Sequence, residues 1–265
     1  MADRVRRIVV TGGSGGIGSV IAARFAQRGA SVVNLDREPF PPGVPPSADS
    51  LYTIMTDLAD PTSISAAFAG ADTKFGGAPL DALVCCAAMS RAAPFLDVAT
   101  ADFDRMLAVN IRGTFLCGQE AGRRMRGAGS GHIVVITSIA AAQAWAGESV
   151  YCLTKAAQAS LVQSMAIELA PWGIRVNAVA PGIIDVASKG MAGTRANEVY
   201  RHEMERFPLG RFGAPSEIAE AVEHLVTTTW MTGQTLYVDG GFLAAGLAYF
   251  GDAKQRLLTA DQRKP

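Results

Sequence analysis

Three side chains in one stretch of the chain have the types and spacing for proton chemistry. Ser138 closes the apolar run HIVVITS (132–138), and Tyr151 and Lys155 stand four residues apart in a segment with helical spacing. Residues four apart share a helix face, so this pair sets an ammonium beside a phenol. A phenol that titrates at about 10 in water is a poor base at neutral pH. A neighbouring cation favours the phenolate and brings its pKa toward the working range. Ser138, at a strand's carboxyl end, is placed to hold a substrate hydroxyl or carbonyl against that phenol. A lone Tyr-x-x-x-Lys is more often a pair on a helix surface, so the weight falls on the elements around it.

The first of these is a strand at Arg7–Thr11 that runs into GGSGGIG and then a helical pattern, SVIAARFAQRGA. Strand, glycine turn and helix in that order are the context a dinucleotide-binding loop requires. Gly12 permits the tight turn, Gly16 lets backbone approach a pyrophosphate, and Gly18 lets helix pack closely on strand. Ser14, Gly15 and Ile17 complete the loop, and the helix N-terminus offers N–H groups and positive dipole to phosphates. The next strand, 31–35, ends at Asp36, where a carboxylate can accept from ribose hydroxyls and repel a 2′-phosphate. That favours NAD. Arg37 beside it can pair with a 2′-phosphate instead, which keeps NADP as the second choice. A third strand, 51–55, is followed by Asp57-Leu58, where a carboxylate can reach an adenine amino group or cap a turn.

The remaining pattern alternates. The proline-rich stretch 39–46 reads as an extended surface loop. A helix is predicted over 62–75, a strand over 82–86, and one long helix over 102–125 with Asn110 inside it. Strand 132–138 and the Tyr151/Lys155 helix follow, then a strand over 174–179 leading to Pro181-Gly182, a helix over 215–227 and a last strand over 235–238. Residues 185–213 read as a substrate-covering segment. No linker or repeat divides the 265 residues, so a single domain over 1–265 is expected.

Composition narrows the function. Lys plus Arg and Asp plus Glu both total 24, which argues against a nucleic-acid partner. Apolar residues make up 49% but fall in short pieces, none near the ~20 residues of a membrane span. The four cysteines and three histidines show no zinc or disulfide spacing, so no metal is expected. The expected setting is a soluble cytoplasmic enzyme of a small molecule.

Taken together, TGGSGGIG at 11–18, Asn110, Ser138, Tyr151-x-x-x-Lys155 and PGII at 181–184 resemble the short-chain dehydrogenase/reductase family, over about Arg7 to Gly241. The resemblance implies that Tyr151 is the general acid or base and that Ser138 positions the substrate oxygen. It also implies that Lys155 binds the nicotinamide ribose and lowers the Tyr151 pKa, and that Asn110 holds a water in the proton path. Cofactor contacts are implied at Cys86, Ala87 and Ala88, and at Pro181, Gly182 and Ile184. Three departures stand out. Cys85-Cys86-Ala87-Ala88 replaces the usual Asn-Asn-Ala-Gly, Val186 stands where a Thr is frequent, and an apolar tail, 242–265, is expected to pack at a subunit interface or over a pocket.

The predicted fold is α/β: a Rossmann-like, doubly wound, mainly parallel seven-stranded sheet with helices on both faces. The predicted reaction is hydride transfer between NAD(H) and a secondary alcohol or ketone. Gln143, Trp145 and Glu148, with Ala140, Gly182 and 186–210, are the nominated substrate neighbours. They point to a sugar, polyol or cyclic alcohol, with NADPH-dependent reduction of a 3-oxoacyl or other ketone as the alternative. Readings from other classes are a cofactor-binding sensor and a lyase or epimerase using bound NAD. A homo-oligomer, tetramer or dimer, is expected.

Overall fold

The computed structural model describes residues 5–41, 50–186 and 206–245. Most of the proline-rich loop, residues 187–205 of the predicted substrate-covering segment, and the tail beyond Ala245 lie outside the described residues. Seven strands form one sheet: β1 (Arg7–Thr11), β2 (Ser31–Asp36), β3 (Leu51–Met55), β4 (Ala82–Cys85), β5 (Gly131–Ile136), β6 (Ile174–Pro181) and β7 (Thr235–Val238). Their order is β3-β2-β1-β4-β5-β6-β7, and every neighbouring pair is parallel.

A wholly parallel sheet has helices on both faces, so its inner strands are apolar on both sides. Ile8, Val9 and Val10 are all fully buried, and they alternate between two cores. Ile8 and Val10 pack with Ile21 and Phe25 of α1 (Gly18–Gln27) and Val222 of α6 (Pro215–Thr227). Val9 packs on the other face with Phe68 of α2 (Pro61–Lys74), Met125 of α4 (Thr114–Arg126) and Val162 of α5 (Ser149–Leu169). From β1 the chain steps outward to β2 and β3, then returns to place β4 on the other side of β1. The loops leaving β1 and β4 therefore diverge, and a crevice opens at their carboxyl ends.

Two boundaries differ from the sequence pattern in ways that matter for the site. Strand β5 stops at Ile136, and Ser138 caps a 3₁₀ turn, Ile139–Ala141, its Oγ accepting from the Ala140 N–H at 3.1 Å. The single helix expected over 102–125 is instead α3 (Thr100–Met106), a π-helical turn at Leu107–Gly113, and α4. Asn110 lies at the centre of that wide turn. Gly113 closes it against α2's entry loop, where a Cβ would stand 2.8 Å from the Leu58 carbonyl oxygen. Hydrophobic periodicity is nearly blind to one extra residue per turn, which explains the misreading. Among the described residues no helix is long and apolar enough to cross a membrane.

Candidate active site

The crevice has a volume of about 700 Å³ and runs along the carboxyl ends of β1 to β6. Its floor is the glycine loop. Gly12 has φ +72°, and a Cβ there would lie 2.6 Å from the Ala87 Cα; one on Gly18 would lie 2.1 Å from the Gly12 carbonyl oxygen. These positions need glycine because backbone meets backbone. The loop is also pinned from β2: the Gly13 N–H donates to Asn34 Oδ1 (2.7 Å), Asn34 Nδ2 to Ser14 Oγ (2.9 Å), and the Ser14 N–H to Asp36 Oδ2 (2.9 Å). Asn34 is fully buried and was not among the residues singled out from sequence. Its signal was there, since Asn is depleted in strands. Helix α1 has no side-chain cap and no acid in its first turn, so the positive end of its dipole faces the crevice without a neutralising carboxylate of its own.

At the crevice's β2–β3 end, Asp36 and Arg37 stand with Asp57 and Leu58. Asp57 is bound by Arg105 Nη2 at 3.0 and 2.9 Å and accepts from the Ala59 N–H. Burial opposes ionisation there, but the Ala59 and Arg105 hydrogen bonds prevail and hold the carboxyl below its ordinary value. Both of the alternatives left open for Asp57 thus have structural content: it caps the turn and it lines the crevice.

The other end holds the acid–base residues. Ser138 and Tyr151 line the crevice together, with the serine hydroxyl near enough to the phenol to favour its ionised form, and the Lys155 ammonium lies 5.5 Å from the centre of the phenol ring. Lys155 is buried; its Nζ donates to the Ile136 carbonyl (2.8 Å) and to Gln158 Oε1 (3.0 Å). The expected lowering of the Tyr151 pKa is not what the free protein shows. Burial pushes the phenol up to about 12, against the pull of the nearby Ser138 hydroxyl. Lys155 does not counter this because its ammonium is itself desolvated and drawn down to about 8. Asn110 is fully buried. Its Oδ1 accepts from the Met89 N–H, and its Nδ2 donates to the Met89 carbonyl and to Thr154 Oγ1.

Of the residues predicted for the cofactor, the crevice brings together Gly12, Ser14, Gly15, Gly16, Ile17, Gly18, Asp36, Arg37, Asp57, Leu58, Cys86, Ala87, Ala88, Tyr151, Lys155, Pro181, Gly182 and Ile184. The predicted substrate neighbours separate. Ser138 and Tyr151 line the crevice, but Gln143, Trp145 and Glu148 do not. Gln143 is exposed, and Glu148 accepts from Ser90 Oγ at 2.6 Å. Trp145 stacks on Phe242 at 5.6 Å, beside Phe207 and Ile139, and its buried indole N–H has no acceptor among the described residues. Both cysteines of the departing motif are neutral thiols, since burial pushes Cys85 and Cys86 up to about 12. Among the described residues no cluster of side chains has the make-up of a metal site.

A family model described as enoyl-(acyl carrier protein) reductase matches residues 12–243. The chain is 37% identical over 250 residues to cis-4-hydroxycyclohexanecarboxylate dehydrogenase of Sinomonas cyclohexanicum, covering 92% of this chain and 98% of the relative. The chain belongs to the short-chain dehydrogenase/reductase family. Another member, L-xylulose reductase of Bos taurus, is 34% identical, with 90% of this chain and 97% of the relative covered. A solved short-chain dehydrogenase/reductase structure, ElxO with NADP bound, superposes with a TM-score of 0.83 at 29% identity, covering 90% of this chain and 99% of that one. Membership makes the protein an NAD(P)-dependent oxidoreductase acting on a CH–OH group. The crevice suits such a cofactor, because its lining includes a glycine loop that offers backbone rather than side chains and an α1 N-terminus with no side-chain cap and no acid in its first turn, a setting for a pyrophosphate.

Proposed function

We propose that the protein is an NAD(H)-dependent dehydrogenase of a secondary alcohol, with Tyr151 as general acid–base, Ser138 orienting the substrate oxygen and Lys155 holding charge beside the phenol. The observation that carries the reading is the convergence of Ser138, Tyr151 and Lys155 on one glycine-floored crevice. The dinucleotide supplies the hydride acceptor; the chain's own residues handle the proton. In oxidation, Tyr151 first releases its own proton to the crevice, and its phenolate Oη then takes the substrate hydroxyl proton while Ser138 Oγ holds the oxygen that becomes a carbonyl. In reduction, the phenol returns that proton. With its pKa pushed up to about 12, Tyr151 is protonated in the free protein and ready to act as the acid. Asn110 acts through position, tying Met89 and the π turn to Thr154 on the helix that carries the pair.

The glycine loop and the α1 N-terminus take the pyrophosphate in this proposal. Asp36 takes the adenosine ribose, and Cys86 to Ala88 and Pro181 to Ile184 flank the nicotinamide. NAD is the first choice because Asp36 lines the crevice with a carboxylate. NADP is the second, since Arg37 and Arg105 line the same end. The substrate class is a sugar, polyol or cyclic alcohol. Support for that class comes from the relative from Sinomonas cyclohexanicum, which is named for a cyclic alcohol.

A homo-oligomer, tetramer or dimer, belongs to the same proposal. Leu107, Ile111, Phe115 and Leu161 line a shallow apolar groove across the π turn, α4 and α5, and Phe115 is 44% exposed. A cytoplasmic setting is included because all four cysteines are free thiols.

The test is Tyr151→Phe with NAD-linked turnover followed at 340 nm over cyclic alcohols, polyols and sugars. Loss of the phenol should cut kcat by about 10²–10⁴-fold, the usual worth of general acid–base assistance, while cofactor binding by titration stays near wild type. A variant that keeps most of its rate sinks the assignment.

A further inference from the structure

One buried side chain joins the parts of the acid–base centre and had no role in the sequence reading. Gln158 stands one helical turn after Lys155 on α5 and is 1% exposed. Its Oε1 accepts from Lys155 Nζ (3.0 Å), and its Nε2 donates to the Asn110 carbonyl (2.7 Å) and to Thr114 Oγ1 (2.9 Å). Both amide protons are thus committed. The Asn110 carbonyl, released from ordinary α-helical pairing by the π turn, also accepts from Thr114 Oγ1 at 2.7 Å. Its two lone pairs are therefore both taken by protein.

We propose that Gln158 is a positioning residue for Lys155: it ties the ammonium directly to the Asn110 carbonyl, filling with a side chain the place where the family resemblance sets a water. This rests on the oxidoreductase reading for its consequence, though not for its geometry. An amide with both N–H groups engaged does not pass a proton on. Lys155 has three donor positions, and two are held by Ile136 O and Gln158 Oε1. The third faces the crevice that Lys155 lines, so proton exchange leaves by the crevice and not through the π turn.

The surroundings make the contact electrostatically exposed to a test. Tyr151 on the same helix and the thiols of Cys85 and Cys86 at the end of β4 are the titratable groups near Lys155. Strand β5 and the π turn present only carbonyls, and no carboxylate sets its charge. With neutral acceptors alone, burial draws Lys155 down to about 8. Changing the one side-chain acceptor should therefore move its titration.

The experiment uses Gln158→Met, which keeps length without polar atoms, and Gln158→Glu, which keeps shape and adds charge. The chain has five lysines, so ¹³Cε-lysine NMR of the cofactor-free protein resolves Lys155, assigned with Lys155→Arg. Gln158→Glu should raise the Lys155 pKa by about 1 unit or more, as an opposite charge in contact does. Gln158→Met should lower it, and kcat should fall by on the order of 10-fold or more through lost positioning of the acid–base pair. The alkaline limb of the kcat–pH profile should follow the same two directions, with KM little changed. Folded variants whose Lys155 titration and alkaline limb stay at wild-type positions overturn the proposal, even if kcat falls uniformly, because that is the signature of a structural role alone. The NMR arm needs no turnover: if Lys155 moves as stated in a protein without dehydrogenase activity, the Gln158 contact stands and the oxidoreductase reading is what fails.

Discussion

At the residue scale, Asp36 has two jobs that a substitution would separate. One oxygen accepts from the Ser14 N–H and the other from the Arg37 N–H at 2.7 Å, so the carboxylate shapes the loop before any ligand arrives. Hydrogen bonds to a charged acceptor contribute about 1.5–3 kcal/mol. Asp36→Ser should therefore lower kcat/KM for NAD relative to NADP by roughly tenfold or more, measured with both cofactors on one alcohol; an unchanged ratio would mean that Asp36 serves the loop alone. Lys155 offers a second prediction at this scale. Burial depresses it from an ordinary 10.5 to about 8, so between those values the unfolded chain binds a proton that the folded one has released. Folding stability should rise with pH across that window relative to Lys155→Met. Tyr151 works in the opposite sense and higher up. Raised from 10.0 to about 12, it contributes stability that is full below 10 and lost as pH rises through 12. Denaturant melts between pH 7.5 and 9.5 isolate the lysine; parallel wild-type and variant curves would contradict its burial as an ammonium.

At the element scale, the glycine loop and the π turn are two solutions to close approach of backbones. Gly18 lets α1 start against the Gly12 carbonyl, and a Cβ at 2.1 Å from that oxygen cannot be absorbed by a side-chain movement. Gly18→Ala should destabilise the fold by about 1–3 kcal/mol, as overpacking generally does, and weaken cofactor binding at least about tenfold. Calorimetric titration and thermal unfolding read the two effects. An alanine variant that binds cofactor like wild type would show that the loop yields more easily than its backbone contacts indicate. In the π turn the cause is polar. Asn110 bonds across to Met89 and Thr154, Thr114 and Gln158 cap its carbonyl, and the helix widens to accommodate them.

At the scale of the whole molecule, the parallel sheet does one thing for function: it sends the loops after β1 and β4 to opposite sides and collects the ends of six strands along one crevice. Catalytic residues more than a hundred positions from the glycine loop reach it because β5 lies only two strands from β1. The proposed assembly is a prediction at this scale. Phe115→Asp puts a charge into the apolar groove beside Ile111 and Leu161. It should shift sedimentation toward smaller species, whereas a wild-type chain that sediments as a monomer at micromolar concentration would remove the proposal.

The strands, the glycine loop and the Ser138, Tyr151 and Lys155 set were legible in the sequence because each leaves a local mark. β-branched runs signal strands buried on both faces, glycine marks backbone contact, and spacing of four marks a shared helix face. Asp36 and Asp57 were legible for the same reason, as polar residues at strand ends. What only the tertiary structure decided depends on partners distant in the chain. The direction of the Tyr151 and Lys155 shifts follows from desolvation, which a pair spacing does not report. Gln143 and Glu148 looked like substrate contacts by position, yet one is exposed and the other is bonded to Ser90. Asn34 and Gln158 were not singled out from the sequence; one pins the glycine loop from the neighbouring strand, and the other joins two helices at the acid–base centre. Periodicity records which face a residue turns to the core. It does not record which donor meets which acceptor once three elements converge there.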